Sequence, residues 1–214
     1  MKVDIWSDVR CPFCYIGKRK FELALDKFDH KDEVEIEWHS FELDPNAATR
    51  PDVNATDYLA EIKGQTREWA EEMQDYVSKA ALEVGLPFNL DQSVVANSFN
   101  AHRLIQFAKS QALGDEIEEQ LFTAYFIEGK NIDDKATLAA IGANAGLDEA
   151  AVSAMLDSDA FTDEVRMDEK VAQQIGISGV PFFIIDQKLA VSGAQPPETF
   201  LGAMEQAWAS GPAK

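Results

Sequence analysis

The segment VDIWSDVRCPFCYIGKRKF, Val3 to Phe21, decides how the rest of the chain is read. Its opening, with Val3, Ile5 and Trp6, suits a buried strand. Behind the motif, Ile16, Phe21, Leu25 and Phe28 fall on a helical apolar stripe. Between the two lies Cys11-Pro12-Phe13-Cys14, and these are the only two cysteines among 214 residues. Pro12 is suited to the first turn of a helix, where its missing N–H has no partner to lose. A helix starting there sets free amide groups and the positive end of its dipole beside Cys11, which stabilises a thiolate.

Two cysteines at this spacing can exchange a disulfide, supply half of a zinc site, or pack as small apolar groups. Zinc asks for about four ligands, usually Cys and His. Only His30, His39 and His102 remain, and none stands in a second Cys/His pair, so no metal is expected. Inert packing is disfavoured by the helix start at Pro12. Redox chemistry is the reading that follows, with Cys11 at the exposed helix end as the attacking thiolate. Cys14, one turn inward, is the expected resolving thiol.

Working outward, EVEIEWHSFEL alternates with a period of two and marks a second strand. The stretch LDPNAATRPDVNAT is rich in turn formers and reads as a loop and a boundary. From about Thr56 to Ser158 the pattern is helical. One helix ends at Gly85, one runs from about Asn97 to Leu113, and one spans about Asp115 to Ile127. Two shorter ones follow, Asp134–Ala145 and Asp148–Leu156, with Asp148 as an N-cap. A helix from about Phe161 to Gly176 precedes the strand GVPFFIID, a turn near Gln187 and the short strand LAVSG. PPETFLGAMEQAWAS closes the order as a helix with Pro197 in its first turn. Strand–helix–strand, helical insert, helix–strand–strand–helix is the order of an α/β thioredoxin fold interrupted once. The expected division is 1–55 with 159–214 for the thioredoxin-like domain and 56–158 for the helical insertion.

Composition narrows the partners. Thirty-eight acidic against 19 basic residues give a net charge of −19. Such a surface repels phosphate backbones and anionic lipids, so neither nucleic acid nor a membrane is an expected partner. No apolar run approaches the roughly 18 to 20 residues that span a bilayer. The start lacks the pattern of a secretory signal, and Met1 directly before the first strand favours an untargeted, cytoplasmic chain.

SDVRCPFCYIGKRKFE, WHSFELDP, NAHRLIQFA, GISGVPFFII and SGAQPPETF together resemble the DsbA-like thioredoxin-fold oxidoreductases, and more narrowly their cytoplasmic FrnE-type branch. The likeness runs from residue 3 to about 205. It implies a nucleophile at Cys11, a resolving cysteine at Cys14 and a cis proline at Pro181 facing them. It also implies that disulfide-containing proteins or small thiols lie beside Val180 and Pro181, with Pro12 and Phe13 contributing to the same contact surface. No organic cofactor is implied, although glutathione can serve as co-substrate. Strongly oxidising relatives place a histidine where this chain has Phe13, which cannot donate a hydrogen bond to the thiolate. Within the range of about −270 to −120 mV, the expectation is therefore away from the oxidising end.

Two rivals share the layout or the surface. Glutathione-dependent kappa-class transferases and hydroxychromene-carboxylate isomerases typically carry serine where Cys11 stands and lack the second cysteine. A chaperone-like module would bind unfolded chains without using either thiol. The chain is expected to be a monomer or a homodimer. His39 and His102 are read as structural or solvated, Trp6 and Tyr15 as core, and Arg10 as surface.

Overall fold

The computed structural model describes residues 1–211. In chain order the elements are β1 (Lys2–Ser7), α1 (Pro12–Leu25), β2 (Glu35–Ser40), α2 (Ala55–Lys63), α3 (Arg67–Leu82), α4 (Phe99–Lys109), α5 (Gly114–Phe122), α6 (Lys135–Asn144), α7 (Glu149–Leu156), α8 (Thr162–Gln174), β3 (Phe182–Ile185), β4 (Leu189–Ser192) and α9 (Pro197–Ala209). They form two compact units, Met1–Leu43 with Val165–Lys214, and Asp44–Glu164.

The first unit is built on a four-stranded sheet of order β2-β1-β3-β4, parallel between β1 and β2 and antiparallel elsewhere. Alternation along β1 sorts its side chains onto two faces. Val3 and Ile5 are wholly buried and stand opposite Ile185 and Phe183 in the register. On that face Phe183 meets Phe200 of α9 edge-on at 4.6 Å and Phe21 of α1 at 5.7 Å. Truncating any of these rings to alanine would cost roughly 3–5 kcal/mol. The opposite face carries Asp4 and Trp6. There Trp6, Ala172 of α8 and Ile177 form a buried cluster, with Phe41, Val180, Phe182 and Ile184 packed against it.

The second unit is helical, α2 to α7. Asn54, Thr66, Asp134 and Asp148 cap α2, α3, α6 and α7 by accepting backbone N–H bonds, which satisfies amides the helices leave unpaired. Asp148 takes the Ala151 N–H at 2.7 Å, the cap its sequence context predicts. The helix expected to end at Gly85 is α3, which closes at Leu82, and a separate helix, α2, stands before it. Gly64 adopts φ +60° after α2, and Thr66 begins α3. After α5 the chain widens into a π-helical turn, Thr123–Ile127, and Asn89 takes up its carbonyls: the Asn89 N–H reaches Phe126 O and its amide reaches Ile127 O, both at 2.7 Å.

The units divide at 43/44 and 164/165, whereas the sequence boundaries were set at 55/56 and 158/159. The reason is where the linking segments bond. Ala47 O accepts from the Asn97 amide, Arg50 bridges Val95, and Thr49 bonds Asp133, so residues 44–55 belong with the helices. At the other seam, the Arg103 guanidinium donates to the carbonyls of Met155, Ser158 and Ala160, and Phe161 packs on Phe107 at 5.6 Å.

Candidate active site

Cys11 is the N-cap of α1, with extended backbone at φ −90° and ψ 111°, and Pro12 occupies the first helical position. The strand end and helix start are joined by Asp8, which sequence reading did not single out. It is fully buried. Its Oδ1 accepts the Arg10 N–H at 3.0 Å and its Oδ2 the Leu43 N–H at 2.8 Å, while its carbonyl accepts the Cys11 N–H at 2.9 Å. One side chain thus fixes the turn into the motif and the exit of β2. The signal available was an aspartate poised to bond amides a few residues on, the ordinary habit of Asp in turns.

Both cysteines are free thiols. The expectation of an exposed Cys11 is corrected: it is 5% exposed, against 1% for Cys14. The loop leading into β3 lies against it. The Cys11 thiol donates to Val180 O at 3.6 Å, and the Val180–Pro181 peptide is cis. Burial pushes the Cys14 thiol well above the ordinary thiol value. Its hydrogen bond with Cys11 and the charge there push the same way, opposed by the Asp8 backbone and the Ser7 side chain. Cys14 therefore holds its proton well beyond the ordinary thiol range.

The other residues the sequence singled out fall around this pair. Phe13 is 37% exposed and stands out from the motif. Pro12 and Val180 are half-buried, and Pro181 is buried. Pro181 rests on α1 at Gly17, where an added Cβ would lie 2.9 Å from Pro181 Cγ and 3.6 Å from Ala194. Pro181 O accepts the Gly193 N–H at 2.9 Å, and Lys20 Nζ reaches Ala194 O at 3.2 Å. Helix, proline loop and the end of β4 are packed into one wall beside Cys11.

Trp6 and Tyr15 are core residues, 4% and 1% exposed. Arg10 is half-buried rather than on the surface, and His102 is buried in α4. His39 lies between two carboxylates: Nδ1 is 2.9 Å from Asp168 Oδ1 and Nε2 is 2.9 Å from Asp4 Oδ1. Burial alone would push the Asp4 carboxyl up, yet the hydrogen bonds and charges of His39 and Lys2 hold it below the usual carboxylate range. Asp4, Glu37 and His39 bring potential metal ligands within 4.8 Å of one another, and the Lys2 ammonium pairs with both carboxylates there.

A dithiol at a helix start, opposite the loop ahead of a sheet strand, with a helical unit inserted between the sheet's halves, defines the class of thioredoxin-fold disulfide oxidoreductases. Comparison with known proteins narrows this. Residues 2–205 match the DSBA-like thioredoxin domain, and the chain belongs to that family. It is 30% identical over 202 residues to the uncharacterized protein YwbO of Bacillus subtilis, covering 92% of each chain. Among solved structures it is similar to the probable DsbA oxidoreductase SCO1869 of Streptomyces coelicolor, with 38% identity, a TM-score of 0.93, and 100% and 93% of the two chains covered. The cytosolic disulfide reductase DsbM of Pseudomonas aeruginosa shares the fold at 15% identity, with a TM-score of 0.67 and 98% and 100% covered. No helix among the described residues is long and apolar enough to cross a membrane.

Proposed function

We propose that the protein is a cytoplasmic thiol–disulfide oxidoreductase of the FrnE-type branch, in which Cys11 attacks and Cys14 resolves. The Cys11 thiolate attacks one sulfur of a substrate disulfide, forming a mixed disulfide and releasing the other sulfur as a thiolate that takes up a proton. Cys14 then gives up its proton and attacks the Cys11 sulfur, releasing the second substrate thiolate. The products are a Cys11–Cys14 disulfide and a substrate reduced by two electrons. Run backwards, the same steps oxidise a dithiol.

The observation that carries this reading is the asymmetry of the pair. Cys11 caps a helix start, where amide dipoles favour a thiolate, and Cys14 is sealed and protonated behind it. Substrates are disulfide-containing proteins or small thiols, glutathione among them as co-substrate, held beside Val180 and Pro181 with Pro12 and Phe13 at the rim. Neither a metal nor an organic cofactor takes part. The chain works as a monomer or homodimer.

Trapping tests the assignment. Cys14→Ala should hold substrates on Cys11 as mixed disulfides that release on reduction, and Cys11→Ala should hold none. If folded Cys14→Ala captures nothing, or the double alanine variant still turns over a disulfide, the reading fails.

A further inference from the structure

We propose that Ser7 is a catalytic residue of the resolving step: its hydroxyl and the Asp8 N–H form a two-donor cradle for the charge that develops on the Cys14 sulfur. The place of Ser7 in the sheet is the first sign. Alternation along β1 sets Val3, Ile5 and Ser7 on one face, the face that α1 covers through Phe21. Val3 and Ile5 fill that face with apolar side chains, and Ser7, only 2% exposed, continues the row with a hydroxyl. Burying a hydroxyl is costly unless it is bonded, and alanine would occupy the same space without that cost. Cys14 lies in the first turn of α1, on the buried side of the helix. The Ser7 side chain and the Asp8 backbone amide both bond its sulfur, and both favour the ionised form against the burial that opposes it.

Both donors are held in place before any charge appears. Ser7 stands opposite Ser40 in the parallel register, and its carbonyl accepts the Phe41 N–H at 3.0 Å. Asp8 is pinned through its carboxylate to the amides of Arg10 and Leu43, and through its carbonyl to the Cys11 N–H. Cys11 O in turn accepts the Cys14 N–H at 3.0 Å. Strand end, turn and thiol are thus one closed frame. Fixed donors in a site shut from water stabilise a developing anion more than mobile ones, because nothing has to reorient during the reaction.

The step they serve is the second exchange. Cys14 gives its proton to solvent and its sulfur attacks the Cys11 sulfur of the mixed disulfide. The Cys11–Cys14 bond forms and the bond from Cys11 to the substrate sulfur breaks. The substrate leaves with that electron pair and takes up a proton from solvent, so the protons balance. Ser7 keeps its own hydrogen throughout and only shares it with the sulfur. In the reverse direction Cys14 is the leaving thiolate, and a stabilised thiolate leaves faster. The first attack, by Cys11 on the substrate, uses neither donor. Ser7 therefore acts on one half of the cycle.

This rests on the assignment of Cys11 as attacker and Cys14 as resolver given above. An aromatic disulfide whose thiolate absorbs light separates the halves, since one thiolate is released as Cys11 attacks and the other as Cys14 resolves. Ser7→Ala should leave the first release at the wild-type rate and slow the second about tenfold, the scale of one hydrogen bond to a charged group. Ser7→Thr and Ser7→Val add nearly the same bulk and differ in the hydroxyl, so any packing damage is common to both. The Thr variant should resolve about tenfold faster than the Val variant. Equal slowing of both releases in Ser7→Ala, an unchanged second release, or equal resolution by the Thr and Val variants overturns the inference. One readout needs no turnover: in Cys11→Ala protein, the thiolate absorbance of Cys14 against pH should move up by about one unit when Ser7→Ala is added. Should disulfide exchange be absent altogether, the reading of the two cysteines falls, and an unmoved absorbance curve would separately refute the bond from Ser7.

Discussion

Gly17→Ala puts the packing beside Cys11 to the test. Gly17 lies inside α1, where alanine is ordinarily the better residue by about 1 kcal/mol. Here the added methyl would sit 2.9 Å from Pro181 Cγ, with Ala194 Cα and Cβ at 3.6 Å on another side. Carbon atoms rest at about 3.5–4.0 Å, so the Pro181 ring must retreat by about 0.6–1 Å. A proline ring cannot swing aside as a long side chain would. Overpacking of this kind costs about 1–3 kcal/mol, which cancels or exceeds the helical gain and leaves a net loss of about 0–2 kcal/mol. The displaced loop carries Val180, so exchange with a peptide disulfide should slow more than exchange with a small one. Urea unfolding gives the first number and paired rate measurements the second. A variant more stable by the full ~1 kcal/mol, with both rates at the wild-type level, would refute the argument that Pro181 is seated on this glycine.

Two further outcomes follow from the thiols. Because burial pushes the Cys14 thiol up, alkylation of the reduced protein near neutral pH should fall on Cys11, with Cys14 reacting only after unfolding; peptide mapping that finds Cys14 labelled first contradicts this. Phe13→His adds a hydrogen-bond donor at an exposed position beside the thiolate, which should favour the dithiol and make the disulfide more oxidising by about 30 mV or more, roughly 1.4 kcal/mol. Equilibration with glutathione and free-thiol counting measures it, and an unchanged or lower potential would show that Phe13 does not govern the pair.

Local chemistry was legible in the chain, and distant pairing was not. Pro12, Pro197 and Asp148 announce their helix starts because capping is settled within a few residues. The alternation of EVEIEWHS revealed β2, since a strand with two unlike faces writes its period into the sequence. The short helix α2 was not singled out, although Asn54 ahead of it and Gly64 after it are proper start and stop signals. Nothing local could place Asp168 against His39, 129 residues away, or Pro181 on Gly17. The burial of Cys11 was misjudged for the same reason, as its cover comes from the Val180 loop. The domain boundaries shifted because a loop rich in Pro and Asn looks like a linker, even when its carbonyls and hydroxyls bond to Val95, Asn97 and Asp133 of the helical unit.

The interrupted sheet also governs how the molecule can be assembled during synthesis. β1 finds its parallel neighbour β2 within the first 40 residues, but its antiparallel neighbour β3 begins only at Phe182. Asp44–Glu164, by contrast, is one continuous stretch whose contacts are complete before β3 has left the ribosome. The helical unit is free to fold first, while the nascent β1–α1–β2 segment waits with one edge of its central strand open. Closing that edge across so long an intervening stretch costs little extra in loop entropy, which grows only logarithmically, but it is slow. During that interval both cysteines are already made and Val180 is not yet there to cover Cys11.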